Sequence, residues 1–172
     1  MVEKKKPAKR KGLGRAPEKA VVKKSAGSAK AQKTAARLAA VQVLYQMRLN
    51  NQEAKSAVRE FIDHRIGFNL DGDLFVPANP DLLQEIVMGV TERWADIEAI
   101  VSKALADGKK GEVETLLESI LRAGTYELLA NSKVDTGIII NDYLNITTGF
   151  YEGSETKIVN AILDKVAKSV RD

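Results

Sequence analysis

Few side chains in this 172-residue sequence could do covalent chemistry, and their spacing is wrong for it. His64 is the single histidine, and there is no cysteine. A metal centre would need a second ligand at helical spacing from His64, as in H-x-x-x-H, and none is present. A lone histidine of this kind reads as a surface or packing residue. A thiol nucleophile, a disulfide framework and a cysteine metal site are all excluded. Gly108-Lys109-Lys110-Gly111 follows no strand and lacks a G-K-[ST] ending, so it reads as a turn and not as a phosphate loop. Gly12-Leu13-Gly14 also follows no strand, and no G-x-S-x-G occurs. Glu112, Glu114 and Glu118 read as a solvated face with favourable charge near a helix start. Asn141-Asp142, on an otherwise apolar helix, fits a buried hydrogen bond between helices. The pattern points away from an enzyme, a metal site or a cofactor.

Charge is segregated along the chain. Residues 1–33 carry twelve Lys or Arg against Glu3 and Glu18, a balance of +10. Residues 34–172 carry fifteen against twenty-one acids, a balance of −6. A basic arm therefore leads into an acidic body. Such an arm can meet a phosphate backbone, or it can serve as a solvated tail. Residues 1–31 are rich in Lys, Ala, Gly, Pro and Ser, with too few apolar residues to offset ordering entropy, and read as disordered. No apolar run is long enough to span a bilayer, and no secretory signal follows the charged N-terminus. The absence of cysteine fits a reducing cytoplasm.

The elements that would position any site are helical. Leu38, Val41, Leu44, Tyr45 and Leu49 mark one helix face, with Thr34 as its expected N-cap and Asn50-Asn51 as its stop. A short helix is expected from Ala54 to about Arg65, and a loop over residues 67–79. Asn79-Pro80-Asp81 is a strong helix start, combining a capping side chain, a proline at the first position and an acid at the positive end of the dipole. The apolar run behind it, from Leu83 to Leu105, is long enough to break near Trp94. Asp107–Gly111 is the next connection. Further helices are expected near Glu112–Leu129, Thr136–Thr148 and Ser154–Val170. Ala123 and Gly124 in the first of these predict a close helix crossing. The expected fold is an all-α body of about six or seven helices over residues 32–172.

Three segments, in order and spacing, resemble the NusB family of bacterial transcription antitermination factors. They are Ala36-Arg37-Leu38-Ala39-Ala40-Val41-Gln42-Val43-Leu44-Tyr45, then Leu121-Arg122-Ala123-Gly124-Thr125-Tyr126-Glu127-Leu128, then Ile140-Asn141-Asp142 through Phe150 to Lys157-Ile158-Val159-Asn160-Ala161-Ile162-Leu163-Asp164-Lys165. The resemblance covers residues 33–171. It implies a two-subdomain helical bundle without a catalytic site. It also implies binding to the boxA element of ribosomal RNA leader transcripts jointly with NusE, a small-subunit ribosomal protein, in an antitermination complex with RNA polymerase.

The same resemblance implies the site. Lys33 and Arg37 stand where relatives carry basic residues, while Thr34 and Ala35 stand where arginine is common. Lys30 and the lysines upstream are expected to compensate. Phe150, Ser154 and Lys157 match functional positions, and Ile158 takes a place where an aromatic side chain occurs. Lys33, Arg37 and Lys157 would anchor phosphates, Phe150 would offer a stacking face and Ser154 a polar contact. Each of the last three also has a plainer reading: Phe150 as core, Ser154 as a helix cap, Lys157 as a surface lysine. Tyr45, partly core, would turn its hydroxyl toward NusE. Asn141 and Asn160 are assigned to the fold, satisfying backbone groups in a dry interior.

Two rival classes stand beside this reading. One is a helical protein-interaction scaffold, including the form of a homodimer that hides its RNA face. The other is the RNA-binding portion of a ribosomal RNA cytosine methyltransferase, which would need a catalytic domain and a cysteine nucleophile.

Overall fold

The computed structural model describes residues 27–66, 76–106 and 112–172. The arm up to residue 26, the segment 67–75 and the Asp107–Gly111 connection lie outside the described residues, as does Gly12-Leu13-Gly14. Seven helices make up the described fold, and no strand occurs among the described residues. They are α1 (Ala29–Asn50), α2 (Ala54–His64), α3 (Pro80–Glu92), α4 (Trp94–Ala106), α5 (Thr115–Ala130), α6 (Thr136–Phe150) and α7 (Glu155–Arg171).

Local chemistry explains several helix ends. Asn79 accepts from the Leu82 N–H at 3.0 Å, with Pro80 at the first helical position and Asp81 in the first turn of α3. Asn51 ends α1 in the left-handed region at φ 48°, and its N–H donates to the Met47 carbonyl. The long apolar run does break at Arg93, immediately before Trp94.

The start of α1 corrects the expectation. Ser28, and not Thr34, is the N-cap, accepting from the Ala31 N–H at 3.1 Å. The helix begins at Ala29, before the expected boundary at residue 32, because Ala29–Lys33 are good helix formers once a cap precedes them. Thr34 sits inside the helix, and its hydroxyl donates to Asp142 on α6 at 3.0 Å.

α5 is the axis of the fold. It packs against α1, α3, α4, α6 and α7, while α1, α2 and α3 form a second mutually packed group. Every residue from Ser119 to Leu128 is buried, so α5 has no solvent face over that stretch. A helix surrounded by five others is buried on all sides and not along one stripe. Two glycines permit the close crossings. A Cβ at Gly89 on α3 would fall 2.1 Å from the Tyr126 ring of α5. One at Gly124 would meet Leu163 of α7 at 3.0 Å and Tyr143 of α6 at 3.3 Å.

Candidate nucleic-acid interface

Three helices are joined through one buried charge. Arg37 of α1 donates from Nε and Nη2 to the two carboxylate oxygens of Glu127 on α5, at 2.7 and 3.0 Å. Its Nη1 donates to Asp142 Oδ2 on α6 at 2.8 Å. Tyr143 donates its hydroxyl to Glu127 Oε2 at 2.8 Å, and the Asn131 amide donates to Oε1 at 3.2 Å. Arg37 is only 4% exposed and Glu127 is fully buried. This corrects the expectation that Arg37 anchors a phosphate. Its guanidinium is committed inside the protein, and withdrawing it would strand the carboxylates in the interior. Glu127 is the partner that sequence reasoning missed. The signal was present: a charge on a helix apolar on every side must be buried and therefore paired. The buried interhelical role expected of Asp142 is the one observed.

The network holds the first turns of α1 against the end of α6, and a groove of about 810 Å³ lies between them. Lys30, Thr34, Leu38, Ile146 and Phe150 are among its walls, and no carboxylate lines it among the described residues. Lys30 and Lys33 are exposed, and Phe150 is 42% exposed. Phe150 is thus not a core residue. Leu38 and Val76, two more of the exposed large apolar side chains, share this groove with it.

The next residue, Tyr151, opens onto a second groove, of about 560 Å³, between α4 and α7. Leu105, Val113, Leu117, Ile158 and Ile162 form its apolar floor. Ser154 and Lys157 stand exposed at its edge, facing Glu112, Glu114 and Glu155. Ser154 occupies the N-cap position of α7 but makes no side-chain cap bond, so its hydroxyl is not consumed by the helix. Tyr151 donates to Glu114 Oε2. Burial, followed by that bond and the Glu114 and Glu155 charges, pushes its phenol well above the ordinary value. Tyr45, half-buried on α1, lies near enough to contribute to the same shift.

Five expected site residues therefore border two adjoining grooves: Lys30 and Phe150 on one, Ser154, Lys157 and Ile158 on the other. Lys33 is exposed one turn along from Lys30, and Tyr45 is half-buried on α1 and lines neither groove. Arg37 is withdrawn. Asn141 and Asn160 are exposed, which corrects their assignment to the dry interior. His64 is exposed as well, and no group of three or more metal-ligating side chains occurs among the described residues.

The NusB family model matches residues 34–168. The chain belongs to the NusB family. Its NusB relatives include the transcription antitermination proteins NusB of Agrobacterium fabrum, 40% identical over 81% of this chain and 86% of that one, and of Sinorhizobium fredii, 39% identical over 81% and 88%. A third, from Maricaulis maris, is 38% identical over 80% and 86%. These NusB proteins are named for antitermination and not for a catalytic activity. Two solved NusB structures share the fold. T. maritima NusB has a TM-score of 0.67 at 21% identity, covering 81% of this chain and 93% of its own. A complex of NusB and NusE with double-stranded RNA has a TM-score of 0.66 at 20% identity, covering 83% and 99%. No described helix is long and apolar enough to cross a membrane.

Proposed function

We propose that this chain is a cytoplasmic transcription antitermination factor that binds single-stranded boxA RNA of ribosomal leader transcripts together with NusE, within an RNA polymerase complex. Membership of the NusB family supports the class, and the NusB–NusE–RNA complex supports the partners. The observation that carries the RNA reading is the groove beside Phe150. An exposed aromatic ring, two exposed lysines at the root of the basic arm and a carboxylate-free wall suit an unpaired base with its phosphates. The strand would continue over Tyr151 toward Ser154, Lys157 and Ile158.

A mobility-shift titration with boxA-like and scrambled RNA, each with and without NusE, tests this. Preference for the boxA-like strand, sharpened by NusE, is the expected result. Equal binding of both strands in the presence of NusE would leave only electrostatic attraction and sink the specific reading.

A further inference from the structure

The C-terminal end of α1 borders a different pocket, far from Phe150. Lys30 and Arg48 lie at opposite ends of this one helix, roughly 27 Å apart at 1.5 Å per residue. The pocket has a volume of about 220 Å³ and is framed by α1, α3, α4 and α5. Leu44, Met47, Arg48, Thr91, Trp94 and Arg122 are among its walls, and no carboxylate lines it among the described residues.

Most of its polar groups are already committed. Arg122, only 4% exposed, donates to Glu98 at 2.7 Å and to Glu118 at 2.9 Å, so its charge is neutralised within the fold. The Thr91 and Ser119 hydroxyls donate to the carbonyls of Val87 and Thr115. Gln52 is bonded to Gln46 and Glu60. Arg48 is the exception. It is exposed and makes no ion pair among the described residues, and its guanidinium stands over the Trp94 ring, 5.6 Å from the centroid. The Arg122 guanidinium stands over the same ring at 4.5 Å.

This arrangement selects the ligand. A stacking base needs an open aromatic face, and guanidinium already covers this ring. A carboxylate needs only the outward N–H groups of Arg48, which stacking on the indole orients and leaves available. Leu44, Met47 and Trp94 offer an apolar wall to a side chain beside that carboxylate. Trp and Arg are also the residues on which protein interfaces concentrate their energy.

We propose that this pocket docks an acidic protein segment, with a carboxylate on Arg48 and a neighbouring apolar side chain against Leu44, Met47 and Trp94. The site is separate from the groove of Phe150 and stands independently of the RNA-binding reading. It lets the chain hold an acidic protein while Lys30 and Phe150 stay open.

The test uses the full chain and its single tryptophan, whose emission reports this pocket directly. The probe is a blocked hexapeptide of Glu and Leu. Its Gln-for-Glu counterpart, free glutarate and a short uridine RNA are the controls. The Glu peptide gives a saturable change in Trp94 emission, and the Gln peptide and glutarate bind about tenfold more weakly or not at all, the size of one charged hydrogen-bonded contact. Arg48→Gln weakens the Glu peptide by a similar factor. Thr91→Phe, at an exposed position on the wall, fills the pocket without changing charge and weakens it too. Lys30→Gln/Lys33→Gln, at the far end of α1, leaves the titration unchanged. Each variant decides by itself, so a folding failure in one leaves the other as the test. No saturable change in the wild type, or equal binding of the Glu and Gln peptides, overturns the proposal. So does an Arg48→Gln titration that matches the wild type, or an equal loss in the lysine variant. Glutarate binding as tightly as the peptide would make this a small-carboxylate site, and an equal response to the RNA would make it a nucleic-acid surface. Either result overturns protein docking.

Discussion

The guanidinium of Arg37 and the carboxylate of Asp142 are 105 residues apart in sequence and 2.8 Å apart in space. This pair, with Glu127 on the other edge of the same guanidinium, ties α1 to α5 and α6. Lys30, exposed on α1, lines the groove that holds Phe150, while Arg37 is held inside the protein.

Arg37→Ala leaves Glu127 and Asp142 without their counter-charge. Removing one partner of a buried ion pair costs about 3–5 kcal/mol. Urea unfolding should show a lower midpoint with an unchanged slope, and RNA affinity of the folded fraction should not change. A phosphate-anchoring arginine would give the opposite pattern, with stability kept and affinity lost. Arg37→Lys keeps the charge but loses the two-pronged contact with Glu127, so it falls between wild type and alanine.

Gly89→Ala drives a methyl group into the Tyr126 ring, which is itself buried. Overpacking of this kind costs about 1–3 kcal/mol. Because the atoms nearest to that methyl group all belong to Tyr126, Gly89→Ala combined with Tyr126→Ala should lose less stability than the two single losses added together. Thermal or urea unfolding of the four proteins in that cycle measures the coupling.

Arg171, at the end of α7, donates to the carbonyls of Glu127, Leu128, Asn131 and Val134 and to the Thr136 hydroxyl. One guanidinium thereby satisfies the open end of α5 and the turn into α6. Arg171→Ala should cost at least about 1.5–3 kcal/mol, the range for a single hydrogen bond from a charged donor. Amide exchange should accelerate first at residues 131–136.

Tyr143 supplies a pH dependence with a definite sign. Burial first, then the Glu127 charge and hydrogen bond, hold its phenol well above the ordinary 10.0. The unfolded chain releases that proton near 10 while the folded chain retains it. The contribution is therefore complete below pH 10 and is lost as pH rises beyond it. Stability measured from neutral to alkaline pH should decline above 10, and Tyr143→Phe should make that decline shallower while lowering neutral stability by about 1 kcal/mol for the lost bond.

Lys30→Gln/Lys33→Gln removes two exposed cations from the first turns of α1, Lys30 among them lining the groove of Phe150. For single strands the salt slope is about −0.7 per phosphate neutralised, so losing two contacts should flatten log K against log[salt] by about 1.4. Anisotropy titrations across a salt series give the slope directly. An unchanged slope would mean that the strand does not run along the first turns of α1.

The helix ends that were legible share one property: their chemistry is local. Asn79-Pro80-Asp81 opens α3 and Asn51 closes α1 through groups within a few residues of each other. Gly124 at a helix crossing was legible because only a close neighbour explains a glycine inside a helix. Thr34 was misread because its short polar side chain suits a cap and also suits the distant carboxylate that it serves.

The sequence by itself determined an all-helical chain with segregated charge and no catalytic constellation, since propensity, periodicity and composition are carried along the chain. Tertiary structure alone decided which cations are available. Arg37 and Lys33 are one helical turn apart on α1, yet one is locked between Glu127 and Asp142 and the other faces solvent. It also placed Phe150 in a groove with Lys30 and Tyr151 in one with Glu112, Glu114 and Glu155. Charge pairing and desolvation depend on distance through space, and residues from α1, α5 and α6 reach those distances only after the helices pack.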